Sequence, residues 1–181
     1  VTSPDVRLRT APTADLSGTE LRDLRRFLDT AFAHFDEEHW GHARGGLHVL
    51  ATVGGELAGH AAVVGRQLIA GATTLRTGYV EAVATAAAFR RRGVGTAVMA
   101  EVERLIAGGS EIGALGASPA GAALYTARGW LDWAGPTAAL TPDGVRNTTG
   151  ERVFVLPTPS TPAGLDPGAR LVCDWRRGDL W

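Results

Sequence analysis

At 181 residues the chain can form one domain with a substantial core, and 45% hydrophobic with 20% charged residues is a globular balance rather than a disordered one. A net charge of -1 gives no basic field of the kind that binds nucleic acid or an anionic membrane. Cys173, the single cysteine, excludes an internal disulfide, and the longest apolar region, Leu57 to Ile69, is broken by His60 and Arg66 and too short to span a bilayer. With no apolar leader in the opening VTSPDVRLRTAPTAD, the expectation is a single cytoplasmic domain over residues 1–181.

Val6 to Thr10 alternates apolar and charged residues and predicts a half-buried first strand. Ser17-x-x-Glu20 has the form of a capping box, and Leu21, Leu24, Phe27, Leu28, Ala31 and Phe32 follow at helical spacing. Phe35 to His42 is acidic and aromatic and predicts a loop or a short second helix. Strands are expected at Leu47 to Val53, at Leu57 to Ile69 after the Gly54-Gly55 turn, and at Leu75 to Ala84, together a three-stranded antiparallel meander. A helix beginning at Val94 comes next, with Val98, Met99, Val102, Leu105 and Ile106 on its apolar face. Glu111 to Ala117 predicts a strand and Ala120 to Ala127 a short helix stopped at Gly129. Thr137 to Leu140 and Arg152 to Leu156 predict a hairpin around Pro142-Asp143-Gly144, and Leu171 to Asp174 a last strand after a proline-rich surface loop.

The join between the third strand and the long helix carries the first chemical signal. Arg90-Arg91-Arg92-Gly93-Val94-Gly95-Thr96 places two glycines and three arginines at a helix start, where backbone N–H groups without intrahelical partners and the macrodipole favour an anion. An ordinary turn with solvated arginines is the plain alternative. The NTPase phosphate loop needs a lysine after its glycines, and all 18 basic residues here are arginine. A dinucleotide fingerprint needs a third glycine where Val98 stands.

Arg90-x-x-Gly93-x-Gly95 resembles the pyrophosphate loop of the GNAT superfamily of N-acetyltransferases. The likeness widens with Gly45-Gly46-Leu47-His48, Gly78 to Val83, Leu124-Tyr125-x-x-x-Gly129-Trp130 and the ending Cys173 to Trp181, which look like the aminoglycoside 2'-N-acetyltransferases of bacterial antibiotic resistance. The resemblance implies a single α/β domain. Its mixed, mostly antiparallel sheet would contain a splayed parallel strand pair and carry helices on both faces. Acetyl-CoA would be the cofactor and an aminoglycoside the substrate, with no nucleic acid or membrane partner and a homodimer as a candidate assembly. Val83, Ala84 and Thr85 would take the pantetheine arm, and Arg90, Arg91, Arg92, Gly93, Val94, Gly95 and Thr96 the pyrophosphate.

Acetyl transfer from a thioester requires a neutral amine, a held carbonyl and a proton for the departing thiolate. The resemblance makes Tyr125 the general acid, against the alternative of a packed aromatic with a satisfied hydroxyl. Glu81 is the candidate base on the acceptor side, provided Val80 and Ala82 face the core; otherwise it is a solvated strand residue or a partner of Arg76. Asp179 and the Trp181 carboxylate are candidates for ammonium groups, with Cys173 to Trp175 expected as a strand that ties the tail down.

A polycationic substrate calls for acidic residues, and Asp36, Glu81, Glu151 and Asp179, beside Ala82 and Trp181, are the candidates for binding it. Two departures bear on substrate range. His34 stands where relatives carry a binding aspartate, and Asn147 to Glu151 holds one acid where relatives often hold several. His34, His39 and His42 cluster in sequence without a cysteine pair, and no metal is expected. Acetylation of another aminosugar or of a polyamine is the alternative reaction, and a non-catalytic acyl-CoA sensor the alternative class.

Overall fold

In a computed structural model, residues 5–150 and 152–181 are described, and they form two compact units through which three elements pass. Unit one is Val1–Val64 with Val80–Leu105, and unit two is Gly65–Tyr79 with Ile106–Trp181.

Unit one begins with strand β1 (Val6–Pro12) and helix α1 (Gly18–Ala31). The helix starts where the capping box predicts: Glu20 N–H donates to Ser17 Oγ at 3.2 Å, and Ser17 N–H donates to Glu20 Oε2 at 2.8 Å. Leu24 and Leu28, one turn apart on its inner face, are buried with Ala11, Leu16, Trp40 and Ala84 in one apolar cluster. The acidic and aromatic segment is helix α2 (Glu37–Ala43). Strand β2 (Leu47–Val53) pairs antiparallel with β1 and with β3 (Glu56–Ala70). Strand β4 (Thr73–Thr85) neighbours β3 and leads into α3 (Val94–Gly109). Helix and sheet approach closely at Gly59, where a Cβ would lie 2.7 Å from Val94 Cγ1.

Unit two holds the outer half of β3 and the first half of β4, joined through Gly71 at φ +60°. Strand β5 (Ile112–Gly116) and helix α4 (Ala122–Ala127) follow. After them come strands β6 (Leu131–Asp132), β7 (Thr137–Thr141), β8 (Gly144–Asn147), β9 (Val153–Pro157) and β10 (Leu171–Cys173). The strand order here is β6-β9-β5-β4-β3-β10-β7-β8. Pairing is parallel for β4 with β5 and for β10 with β7, and antiparallel for β5 with β9, β6 with β9, β10 with β3, and β7 with β8. The β4–β5 register covers Thr77 to Tyr79 against Ile112 to Ala114 and stops there, while β4 runs on to Thr85. A mixed α/β fold with a short parallel pair is thus as expected.

One sequence expectation fails in this unit. β7 turns at once through Pro142 and Asp143 to pair with β8, not with β9, and β9 pairs instead with β5 and β6. Thr141 Oγ1 closes that turn by accepting from Asp143 N–H at 3.3 Å and donating to the Gly144 carbonyl at 2.8 Å.

Candidate functional site

Val80 is buried, as alternation along β4 demands, but Ala82 has φ +51°, the left-handed region that non-glycine residues seldom occupy. The pleat is broken there, so Glu81, Ala82 and Val83 are all partly exposed rather than alternating. Ala82 nonetheless packs, partly buried, against the apolar cluster that holds Leu24, Leu28 and Trp40, so both neighbours of Glu81 meet apolar surroundings. The Ala82 carbonyl turns onto His60 Nδ1 at 2.9 Å, a contact that the sequence reading missed.

Past β4, Ala86 N–H donates to the Ala58 carbonyl at 2.9 Å and a single 3-10 turn forms at Ala87–Phe89. Arg90 Nε donates to the Thr85 carbonyl at 3.3 Å, Arg92 Nη1 to the Ala88 carbonyl at 3.4 Å, and the Arg92 guanidinium lies 5.5 Å from the Phe89 ring centre. Arg91 and Gly93 are left-handed, at φ +58° and +85°, which reverses the chain into α3. The first bond of that helix runs from Ala97 N–H to the Gly93 carbonyl at 2.9 Å, so the amides of Val94, Gly95 and Thr96 precede it at the positive pole. Val94 has its side chain in the core and offers only its backbone. Thr85 and Arg90 to Thr96 are brought together, and three exposed guanidiniums beside helix-start amides make a donor set suited to a polyphosphate.

Asp36 caps α2, accepting from Glu38 and His39 N–H at 2.9 and 3.0 Å, with His39 Nδ1 at 2.7 Å and His34 Nε2 at 3.2 Å. The His39 amide first, and then the His39 ring, hold this carboxyl far below the usual range. Side-chain atoms of His34, Asp36 and His39 lie within 4.8 Å of one another, a grouping already accounted for by the helix cap.

In unit two, Tyr125 on α4 is 6% exposed and packs near Trp130 and Phe154, with ring centres 6.1 and 5.9 Å away. Burial pushes its phenol up to about 12, so it holds its proton throughout the neutral range. The tail is tied down, though strand β10 ends at Cys173. Arg66 does the work from β3: its Nε meets Asp174 Oδ1 at 2.7 Å, Nη2 the Asp174 carbonyl at 3.1 Å and Nη1 the Leu180 carbonyl at 2.9 Å, with its guanidinium carbon 4.5 Å from the Tyr79 ring centre. Trp181 is buried, donates its indole N–H to Thr148 Oγ1 at 3.0 Å, and packs its main chain where a Cβ on Gly116 would come within 2.9 Å of the Trp181 carbonyl carbon. Asp179 is exposed, with its carbonyl accepting from Arg176 Nε at 2.6 Å. Glu151 lies outside the described residues. Cys173 is buried and burial raises its thiol, as packing rather than reactivity predicts. Among the described residues no helix is long and apolar enough to cross a membrane.

The Acetyltransferase (GNAT) family profile matches residues 15–130. A curated aminoglycoside 2'-N-acetyltransferase of Mycolicibacterium fortuitum is 45% identical over 178 residues, which is 96% of this chain and 91% of its own length. Among solved structures, a GCN5-related N-acetyltransferase from Kribbella flavida is 26% identical with TM-score 0.59, and the match takes in 74% of this chain but only 34% of that one. A GNAT family acetyltransferase from Brucella melitensis, solved in complex with acetyl-CoA, is 14% identical with TM-score 0.59 over 89% of this chain and 93% of its own, a likeness of fold alone. With the family profile matched over most of its length and a relative aligned almost end to end, the chain belongs to the GNAT family of acetyltransferases.

Proposed function

We propose that this chain transfers the acetyl group of acetyl-CoA to the 2'-amine of an aminoglycoside. The observation that carries the reading is the 45% identity with the M. fortuitum enzyme across 96% of the chain. The donor set at the start of α3 fits a pyrophosphate. When bound, acetyl-CoA supplies an acetyl group activated as a thioester.

The chain's own residues then divide the work. The amides of Val94, Gly95 and Thr96 with Arg90, Arg91, Arg92 and Gly93 bind the pyrophosphate, and the backbone of Val83, Ala84 and Thr85 takes the arm. Glu81 accepts the proton the amine loses as its nitrogen bonds to the acetyl carbon, directly or through one water. Tyr125 hands its proton to the sulfur as the carbon–sulfur bond breaks, a role for which its raised pKa keeps it supplied. Asp36, held ionised by the amides of α2, and Asp179 are assigned to the substrate's ammonium groups, and Ala82, Trp181 and Glu151 are assigned to substrate binding as well. On this reading the reaction belongs to the cytoplasm.

A turnover screen over aminoglycoside pairs that differ only in a 2'-amine or a 2'-hydroxyl tests the reading. Acetylation confined to the 2'-amine members is expected. Equal turnover of both members would point to a different amine, and acetyl-CoA binding without turnover on any amine would point to a sensor.

A further inference from the structure

Two fully buried histidines on neighbouring strands complete a line of hydrogen bonds that ends at the reacting edge of β4. Gly45 N–H lies 2.9 Å from Thr13 Oγ1, Thr13 Oγ1 2.8 Å from His48 Nε2, His48 Nδ1 2.9 Å from His60 Nε2, and His60 Nδ1 2.9 Å from the Ala82 carbonyl. The protons along this line follow from its end. A carbonyl only accepts, so His60 carries its hydrogen on Nδ1, and a neutral ring then accepts at Nε2. His48 must donate from Nδ1 and accept at Nε2, which Thr13 fills with its hydroxyl hydrogen while accepting from Gly45. Burial lowers both imidazoles, that of His60 to about 3, so the rings are neutral and the order holds at neutral pH. Every donor in the line points toward Ala82.

Ala82 is the residue that needs holding. Its left-handed backbone is one that an L side chain rarely adopts. In a trans peptide the carbonyl and the following N–H point in opposite directions, so turning the Ala82 carbonyl onto His60 turns the Val83 N–H the other way. That N–H opens the segment assigned above to the acyl arm, and Glu81 is the residue just before Ala82. Two apolar side chains would fill the volume of the imidazoles without four buried ring nitrogens to satisfy, so packing alone gives no reason for the pair.

We propose that His60, set by His48 and Thr13, is a positioning residue for acetyl transfer: it pins the left-handed Ala82 and so aims the Val83 N–H and the Glu81 side chain at the reacting groups. The proposal rests on the reading of residues 81–85 as the reacting edge.

Histidine ring ¹⁵N spectroscopy of the whole chain at neutral pH, with and without acetyl-CoA, should show both His48 and His60 as neutral Nδ1–H tautomers. A charged ring or an Nε2–H tautomer at either position overturns the line. In kinetics, His60→Leu should lower kcat about 10- to 100-fold with the aminoglycoside KM within about twofold, since misplacing reacting groups by about 1 Å costs up to about 10²-fold. His60→Asn keeps an N–H donor near the former Nδ1 and should recover about tenfold of that loss. A folded His60→Leu with wild-type kcat, or an asparagine variant no better than leucine, overturns the positioning role. Should His60→Leu fail to fold, Thr13→Val removes the outer donor to His48 together with the acceptor of the Gly45 N–H: a mixed His48 tautomer and a few-fold lower kcat are expected, and unchanged tautomer and kcat overturn the idea. A wild-type chain that acetylates no 2'-amine would defeat the functional reading itself, whereas normal wild-type turnover with an indifferent His60 defeats this inference alone.

Discussion

The buried histidine line makes folding stability depend on pH in a way that can be worked out for His60. Its ring titrates near 6.5 when unfolded and is lowered to about 3 in the native chain, chiefly by burial. A depressed native pKa means that the unfolded chain binds the extra proton, so the contribution is complete above the unfolded value and is lost as pH falls toward the native one. Between pH 7 and 4.5 this amounts to roughly 2–3 kcal/mol, a sizeable part of the roughly 5–15 kcal/mol that holds a domain together. His48 is shifted in the same direction and adds to the slope. The lowered carboxylates Glu20, Asp36 and Glu101 are shared by wild type and variant, so their loss of stability toward acid cancels in the comparison. The assay is urea unfolding of wild type and His60→Leu at half-unit steps from pH 7.5 to 4.5 and constant ionic strength. The leucine variant should be less stable at pH 7 yet lose roughly 2–3 kcal/mol less than wild type on acidification. Parallel curves for the two proteins would refute the reasoning, since they would show that His60 is already protonated in the native chain or never protonated in the unfolded one.

Gly95→Glu sets a carboxylate among the first-turn amides of α3 and should weaken acetyl-CoA binding by at least about tenfold with the fold intact, read by calorimetry. Tyr125→Phe removes one hydroxyl and should lower kcat by about 10²–10⁴-fold while both substrates still bind; with the phenol at about 12, no basic limb of the wild-type pH profile below about pH 11 should be traceable to it. Arg66→Met deletes the contacts to Asp174, Leu180 and the Tyr79 ring, and because Asp174 is 44% exposed and can rehydrate, the loss should be about 2–4 kcal/mol by chemical denaturation rather than the full cost of an orphaned buried charge.

Local signals were readable where the physics is local. The Ser17–Glu20 capping box, the Gly54-Gly55 turn and the apolar stripe of α3 each involve residues within a few positions of one another, and each element lies where those signals put it. The pairing of β9 was not legible, because its partner β5 lies some forty residues earlier, while all four residues of β8 are exposed and give no alternation to read. The break in β4 at Ala82 was hidden for a related reason. Nothing about an alanine announces φ +51°, and its carbonyl meets His60, 22 residues upstream, so no local signal marks the break in the pleat beside Glu81. The loop before α3 was legible because glycine and arginine state their conformational and electrostatic uses in their own chemistry.

The Arg66 clamp has a consequence for the order in which the chain is made. Its partners lie 108 and 114 residues further on, so at about 5–20 residues per second the guanidinium waits roughly 5–20 s after leaving the ribosome before either can reach it. During that interval a side chain that ends up 4% exposed has neither of those partners and must remain hydrated, which keeps the outer half of β3 from closing over it. A nascent or truncated chain that ends before Asp174 is therefore expected to leave Arg66 and the adjoining part of β3 open to water, with the docking of residues 174–181 as a late step in closing the unit.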